Sequence, residues 1–295
     1  MAITSYQIFL TVTEQGSFIK ASQILNITPS AISHSIAVLE KDFGAPLLIR
    51  GKQGVSLTTY GESILPYVRE VLQSEINLRQ QVDALHGLER GRIRVGCFNS
   101  ICNTHLPILV KRFHERYPNI QIQIFQGTYA DVIEWLKNGL IDLGFLSKAS
   151  AKNILPLRCI YQDELFCLTP IGFKGKHKDF ITSEEIQQMD FVSQQESTDS
   201  DIGQYLEKHR IQVRSSCYVS DDLAAISLIS NGFGIGIMPK LALDNIEYPV
   251  SRYSLSPKGY RMIGISHKEK NLSPAAKRFY EFTLWLYETE CLFTS

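Results

Sequence analysis

Through the first part of the chain, apolar residues recur at steps of three and four, and turn residues cut them into three runs. Phe9 and Val12 mark the inner face of a first helix, from about Ser5 to Gln15, which Gly16 stops. Ser17 can cap a second helix, Ser17 to Leu25, with Phe18, Ala21 and Leu25 turned inward. After Asn26-Ile27, Thr28 can cap a third, with Pro29 at its first position, where a missing N–H costs nothing. Ile32, Ile36, Leu39 and Phe43 form the predicted buried stripe of that helix, and Gly44 ends it. Pro46 to Arg50 then reads as extended, Gly51-Lys52-Gln53-Gly54 as a turn, and Val55 to Thr58 as a return strand. Residues 59–88 carry one long helical pattern. Thr59-x-x-Glu62 is a capping box at its start, and Ile64, Leu65, Val68, Leu72, Ile76, Val82 and Leu85 make an apolar stripe. Pro66 lies inside, where it should kink or reset the first turns.

From Gly91 the texture changes to β-type runs alternating with helical ones, which predicts an α/β domain with a substantially parallel sheet. A strand at Arg92 to Gly96 is followed by a helix through Leu109 and Phe113, capped by Asn103 or Thr104. Then come the alternating strand Ile120, Ile122, Ile124, a helix around Val132 and Leu136, and a buried strand Ile141 to Leu146. A second unit begins near Leu165, with strands at Leu165 to Thr169, Phe191 to Ser193, Gln212 to Val219 and Phe233 to Pro239. Helices follow Ser183 and span Asp201 to His209 and the capped segment Ser220 to Gly232, which Gly232 closes. The chain returns to the first unit through Met262 to Ser266 and a last helix opened by Ser273-Pro274.

Composition narrows the function classes. The 295 residues suit two or three domains, and 44% hydrophobic against 20% charged is an ordinary globular balance. Thirty basic residues match thirty acidic ones, so any affinity for nucleic acid must come from a local surface. The N terminus does not read as a signal peptide and no run is apolar enough to span a membrane, which points to a cytoplasmic protein with no membrane partner. The six cysteines form no C-x-x-C and no zinc spacing, so neither metal nor cofactor is expected. No G-x-S-x-G, Walker loop, H-E-x-x-H or strand-placed G-x-G-x-x-G supports an enzyme. A solute-binding transport protein would account for residues 91–295 but leaves residues 1–58 without a role.

Two crossing helices with small Ala21 between them, followed by a hairpin with a basic, glycine-rich tip, make a winged helix-turn-helix. The outer face of the third helix carries Ser30, Ser33, His34 and Ala37, short or polar side chains that suit a major groove. A solvated face on an ordinary helical hairpin would look the same; the wing is what favours DNA. Arg50, Lys52 and Gln53 on the hairpin can meet phosphates or a groove edge. Few basic residues lie in this module, so one copy should bind DNA weakly and dimerisation should be required. The long helix needs a partner for its apolar side, either its own C-terminal domain or the same helix of a second copy.

Phe9, Val12, Glu14, Gly16-Ser17-Phe18, Ala21-Ser22, Leu25, Thr28 to Ser33, Ile36, Leu39-Glu40, Phe43-Gly44, Pro46-Leu47-Leu48, Arg50, Leu57-Thr58 and Gly61 hold a gapless spacing that closely resembles the LysR-type transcriptional regulators. Ser22 and Leu48 depart from the family's usual alanine and phenylalanine, both mild core changes. Gly91 to Gly96, Pro118-Ile120-Ile122, Gly139 to Gly144 and Gly232 to Pro239 extend the resemblance over essentially the whole chain. It implies a DNA-binding domain at 1–58, a linker and dimerisation helix with hinge at 59–90, and an effector domain at 91–295. The effector domain should be a doubly wound α/β fold like the periplasmic solute-binding proteins, with subdomain I at 91–163 plus 267–295 and subdomain II at 164–266.

The implied partners are operator double-stranded DNA, a further copy in a homodimer or homotetramer, a polar or anionic small-molecule effector, and RNA polymerase. DNA contacts fall on Thr28, Pro29, Ser30, Ser33, His34, Arg50, Lys52 and Gln53. Effector contacts fall on Phe98, Asn99, Ser100, Thr128, Phe145, Leu146, Ser147, Gln194, Ser197, Thr198, Ser220 and Asp221, where strands give way to helices or turns. Each hydroxyl among them can equally serve as a helix cap. No arginine or lysine lies in these segments. The alternative within the same family is a redox sensor using cysteines; Cys167 and Cys217 are the candidates in the second subdomain, in surroundings that read as buried strands.

Overall fold

The structure is a computed structural model, and it describes residues 4–51, 54–86, 90–195, 200–244, 247–268 and 272–289. Helices α1 (Ser5–Gln15), α2 (Phe18–Leu25) and α3 (Pro29–Phe43) form the N-terminal module. Thr4, Ser17 and Thr28 cap them through their side chains, and Gly16, Asn26 and Gly44 end them in the left-handed conformation. Their shared core is Phe9, Val12, Ala21, Ile32, Ile36 and Leu39. Phe43 is an exception to the predicted stripe: it is exposed and stacks on Tyr6 at the edge of the module.

Strands β1 (Leu48–Gly51) and β2 (Gly54–Leu57) pair antiparallel as the wing. Val55 N–H donates to Gly16 O at 2.9 Å, which seats the wing on the turn between α1 and α2. Gly54, at φ 118°, is required there, because a Cβ would stand 2.7 Å from Gly16 O. Glu40 ties the other end: one carboxylate oxygen accepts from Leu47 N–H at 2.7 Å and Leu48 N–H at 3.1 Å.

Helix α4 (Thr59–Leu85) follows directly, with Pro66 inside it. Its cap is Thr58, whose hydroxyl accepts from Gly61 N–H at 3.0 Å while donating to Pro46 O at 2.7 Å. The cap therefore falls one residue before the expected Thr59, because Thr58 is held by the wing and already points at the helix end, and with Gly61 three residues on there is no side chain to complete a capping box. The predicted apolar stripe also divides. Leu65 and Val68 are buried and Leu72 half-buried against the N-terminal module, whereas Tyr60, Tyr67, Val71, Ile76, Leu78, Val82 and Leu85 face outward.

The C-terminal domain contains β3 (Gly91–Cys97), α5 (Asn99–Asn103), α6 (His105–Arg116), β4 (Ile120–Gln126), α7 (Tyr129–Lys137), β5 (Leu143–Ser147) and α8 (Lys148–Ala151). It continues with β6 (Arg158–Pro170), β7 (Phe180–Thr182), α9 (Ser183–Gln187), β8 (Asp190–Gln194), α10 (Ser200–Lys208), β9 (Arg214–Val219) and α11 (Asp222–Ser230). β10 (Gly236–Pro239), α12 (Lys240–Leu243), β11 (Val250–His267) and α13 (Pro274–Thr289) complete it. Thr104 precedes α6 without capping it; its hydroxyl donates back to Ser100 O at 2.5 Å.

The main sheet has the order β10-β6-β11-β5-β3-β4, with β7 on β11. β3 is parallel to β4 and β5, but β11 is antiparallel to β5 and β6, and β10 is antiparallel to β6. The sheet is thus mixed rather than substantially parallel. The reason is that β6 and β11 are far longer than the runs recognised in the sequence. They form a two-stranded ribbon through both halves of the domain, and the predicted junction at residues 163 and 164 falls inside β6. Parallel β8 and β9 extend the second half through a bridge between Phe191 and Ile235. One apolar core lies around Ile93, Leu109, Phe113, Leu143 and Phe279, and two smaller ones serve the second half.

Candidate DNA interface and effector cleft

The outer side of α3 exposes Thr28, Pro29, Ser30, His34 and Ala37, with Ser33 half-buried beside them. The Thr28 hydroxyl accepts from Ala31 N–H at 3.2 Å and lies 3.0 Å from the Ser30 hydroxyl, so both are oriented by the helix start. Asn26 takes the left-handed turn between α2 and α3 at φ 53°, which lets α3 cross α2 closely at Ala21. Arg50 extends from β1 over the Phe18 ring, 4.5 Å from its centroid, and remains exposed. Lys52 and Gln53, expected at the wing tip, lie outside the described residues.

Beside this module, Tyr6, Phe43, Leu47, Tyr60, Ile64 and Tyr67 line an apolar groove of about 400 Å³. It continues onto the outward stripe of α4, where Tyr60, Tyr67, Val71, Leu78 and Leu85 recur at steps of seven and four.

In the C-terminal domain, the predicted effector residues divide. Ser100 is buried on α5 and Phe98 is buried just before it. Asn99 Oδ1 accepts from Gln126 Nε2 at 2.8 Å. The Thr128 hydroxyl is engaged as a cap: it accepts from Asp131 N–H at 3.2 Å and donates to Asp131 Oδ2 at 2.7 Å. Phe145 and Leu146 are fully buried in the core of the first half, where alternate sides of β5 are both covered. Ser147 is fully buried and caps α8. It also hydrogen-bonds Asp201 of α10, joining the two halves. Gln194 Nε2 donates to Asp222 Oδ1 at 2.7 Å. Asp221 caps α11 from an exposed position, and Ser220 is exposed. Ser197 and Thr198 lie outside the described residues.

What brings Phe98 and Ser100 together is a residue that the sequence reading passed over. Arg261 of β11 stands directly across the ribbon from Asp163 of β6. Its Nη2 lies 2.7 Å from Asp163 Oδ2 and donates to Ser100 Oγ at 2.7 Å, and its Nη1 donates to Tyr129 OH at 3.1 Å. The guanidinium also lies over the Phe98 ring, 5.1 Å from its centroid. Both partners of this ion pair are buried, and Leu241 N–H donates to Asp163 Oδ1 at 3.2 Å. Burial raises the Asp201 carboxyl above its ordinary range, against the pull of the Ser147 hydrogen bond and Arg261. Burial likewise raises Asp222, opposed by Gln194. The junction of the two halves therefore holds Arg261 among Asp163, Asp201 and Asp222. The available signal was a charge in each of two apolar strands, Arg261 before Met262-Ile263 and Asp163 before Leu165, without any indication that the strands pair.

The cysteine chemistry is muted. Burial pushes the Cys97 and Cys167 thiols well above the usual range, which keeps them protonated. Cys217 is half-buried against the smaller core of the second half, Cys102 is half-buried and Cys159 exposed. Among the described residues no helix is long and apolar enough to cross a membrane.

Comparison with known proteins agrees with both halves of this architecture. Residues 3–62 match the model of the bacterial regulatory helix-turn-helix proteins of the lysR family. Residues 86–284 match the LysR substrate binding domain. The uncharacterized HTH-type transcriptional regulator YvbU of Bacillus subtilis is 28% identical over 294 residues, covering 98% of this chain and 100% of that one. Full-length OxyR C199D from Pseudomonas aeruginosa has a similar fold, with TM-score 0.79 at 18% identity over 99% of this chain and 96% of that one. CbnR complexed with its target DNA gives TM-score 0.69 at 20% identity over 96% and 99%. The effector binding domain of QuiR in complex with shikimate gives 0.62 at 26% identity over 68% and 99%. With a winged helix-turn-helix joined by α4 to a two-part effector domain, and with family models matching both, the chain belongs to the LysR family of DNA-binding transcriptional regulators.

Proposed function

We propose that this regulator binds operator DNA as a dimer and responds to a small polar effector with an anionic group, held between the two halves of its C-terminal domain. The observation that carries the effector reading is Arg261, a buried guanidinium whose fork reaches Ser100 and Tyr129 from one half while resting on Asp163 in the ribbon between them. A carboxylate or similar group can replace either hydroxyl as acceptor and gain a charge-assisted bond. Asp201 and Asp222 favour an effector that also offers donors. The shikimate held by the QuiR domain supports a polar molecule of that size.

On the DNA side, Ser33 and His34 read bases, while Thr28, Pro29, Ser30 and Arg50, with Lys52 and Gln53, position the module on the backbone. The outward stripe of α4 and the groove beside it form the dimer seam. RNA polymerase is the downstream partner and the cytoplasm the place of work that the family assignment leads us to expect.

The test of the effector reading is a thermal-shift screen of metabolites on the full chain, since binding raises the melting temperature by mass action. Compounds that respond are then titrated against Ser100→Ala and Tyr129→Phe. Binding should weaken several-fold in each, from loss of about 0.5–1.5 kcal/mol per hydrogen bond. A hit that binds both variants and the parent equally overturns the cleft assignment.

A further inference from the structure

Away from the cleft, a cavity of about 680 Å³ lies between α4 and the first half of the effector domain. That is within the range of small-molecule sites, roughly 300–1,000 Å³. Its wall is unusually charged, and almost every charge is matched. Arg94 of β3 donates to Asp142 Oδ2 at 3.2 Å through Nε and to Oδ1 at 2.7 Å through Nη2; it also donates to Gly139 O at 3.0 Å and to Gln73 Oε1 of α4 at 2.6 Å. Lys268 pairs with Glu70 of α4 and donates to Lys137 O at 3.3 Å.

Arg69 is different. It is half-buried on the same wall, and its Nε is closed off from solvent with no hydrogen-bond partner among the described residues. No carboxylate among the described residues reaches ion-pair distance of it. Its nearest influences are burial, which lowers its proton affinity, Glu14 of α1, which raises it, and Arg94, which lowers it further. A guanidinium with one N–H closed off from water and unpaired, near a second guanidinium, is costly unless an anion completes it. Its planar fork suits the paired oxygens of a carboxylate or phosphate.

We propose that this cavity is a second ligand site, separate from the cleft, for a small molecule carrying a carboxylate or phosphate that Arg69 anchors. The ligand would touch α4 on one side and, on the other, Arg94 of β3, the turn before β5 and the end of β11; Arg69, its anchor, also feels the charge of Glu14 in the DNA-binding module. The site therefore sits between α4 and the effector domain, within electrostatic reach of the DNA-binding module.

The test uses the full chain and the variant Arg69→Gln, at constant ionic strength with chloride as the background anion. Inorganic phosphate and malonate are the two probes. In the parent, at least one of them should raise the melting temperature saturably by about 2–4 °C. Arg69→Gln should show less than a third of that rise, and the anion that responds separates phosphate from carboxylate. Broadening of the phosphate ³¹P resonance at 25 °C, far below either transition, keeps the comparison valid if the variant melts lower. Equal responses of the two proteins to both anions, by melting and by resonance, would overturn the proposal.

Discussion

At the start of α6, His105 is packed inside the first half of the effector domain, with its Nδ1 2.7 Å from Tyr287 OH and its ring edge-on to Tyr161. Burial, reinforced by the charge of Arg261, pushes its pKa down to about 4. In the unfolded chain the imidazole titrates near its ordinary value of about 6.5. Between those values the unfolded state takes up a proton that the folded state refuses, so stability falls as pH drops through the window and is fully present above it. The loss at the acid end is of order 3 kcal/mol. Urea unfolding at pH 7 and pH 4.5 should show a larger acid loss for the parent than for His105→Gln; parallel losses would exclude His105 as the source. Thr128 illustrates how a hydroxyl at a strand-to-helix junction divides between two roles. Its capping box with Asp131 means that Thr128→Val should cost about 1 kcal/mol of stability whatever it does to a ligand. Glu40 was legible only as one position in a family pattern, yet its carboxylate holds two backbone N–H groups of the wing. Glu40→Ala should cost the parent about 1–3 kcal/mol in thermal or urea unfolding, the penalty of leaving those donors unpaired.

Among the elements, α4 shows most clearly what a one-dimensional pattern conceals. Leu72 and Ile76 belong to one stripe on a helical projection, but in the fold Leu72 packs against the core of α1 to α3 while Ile76 faces outward. A charge at Leu72 therefore attacks the protein's own DNA-binding module. The residues free to meet a second copy are those of the outward stripe, of which Tyr67 and Val71 are 68% and 52% exposed. Tyr67→Glu with Val71→Glu should yield monomers in sedimentation with unchanged far-UV circular dichroism, and operator affinity should fall by an order of magnitude or more. A dimer that persists in this variant would exclude the seam. Leu72→Glu should instead lower the melting temperature of the N-terminal module, because a buried carboxylate without a partner is expensive. Helix α3 was the opposite case: its signals Thr28, Pro29 and Gly44 lie within seventeen residues, and the helix begins and ends where they place it. Base reading by its outer face is checked with Ser33→Ala plus His34→Ala, which should weaken operator binding and leave random-sequence binding nearly intact.

Across the whole molecule, the ribbon of β6 and β11 joins the two halves of the effector domain, and the Arg261–Asp163 pair sits within it. Removing one member leaves a buried charge, so Arg261→Met should cost about 3–5 kcal/mol in equilibrium unfolding, whereas Arg261→Met with Asp163→Leu should recover most of that. The double variant should nonetheless lose the effector-induced thermal shift. Recovery of the shift along with stability would show that the pair only supports the fold. The N-terminal module, the family and the order of strands and helices could be read from the chain because their signals are local: caps, turn glycines and apolar periods act within one or two turns of helix or one strand. The length of β6 and β11, the mixed sheet and the arrival of Arg261 beside Ser100 could not. Those depend on a pairing between residues 98 positions apart, whose energy comes from burial and hydrogen bonds supplied by the partner strand. The sequence by itself determined which segments would be helix, wing and effector domain; only the tertiary structure decided which face of α4 is free, which serines are caps, and that Arg261 is buried between the two halves, because each is settled by what the rest of the molecule covers.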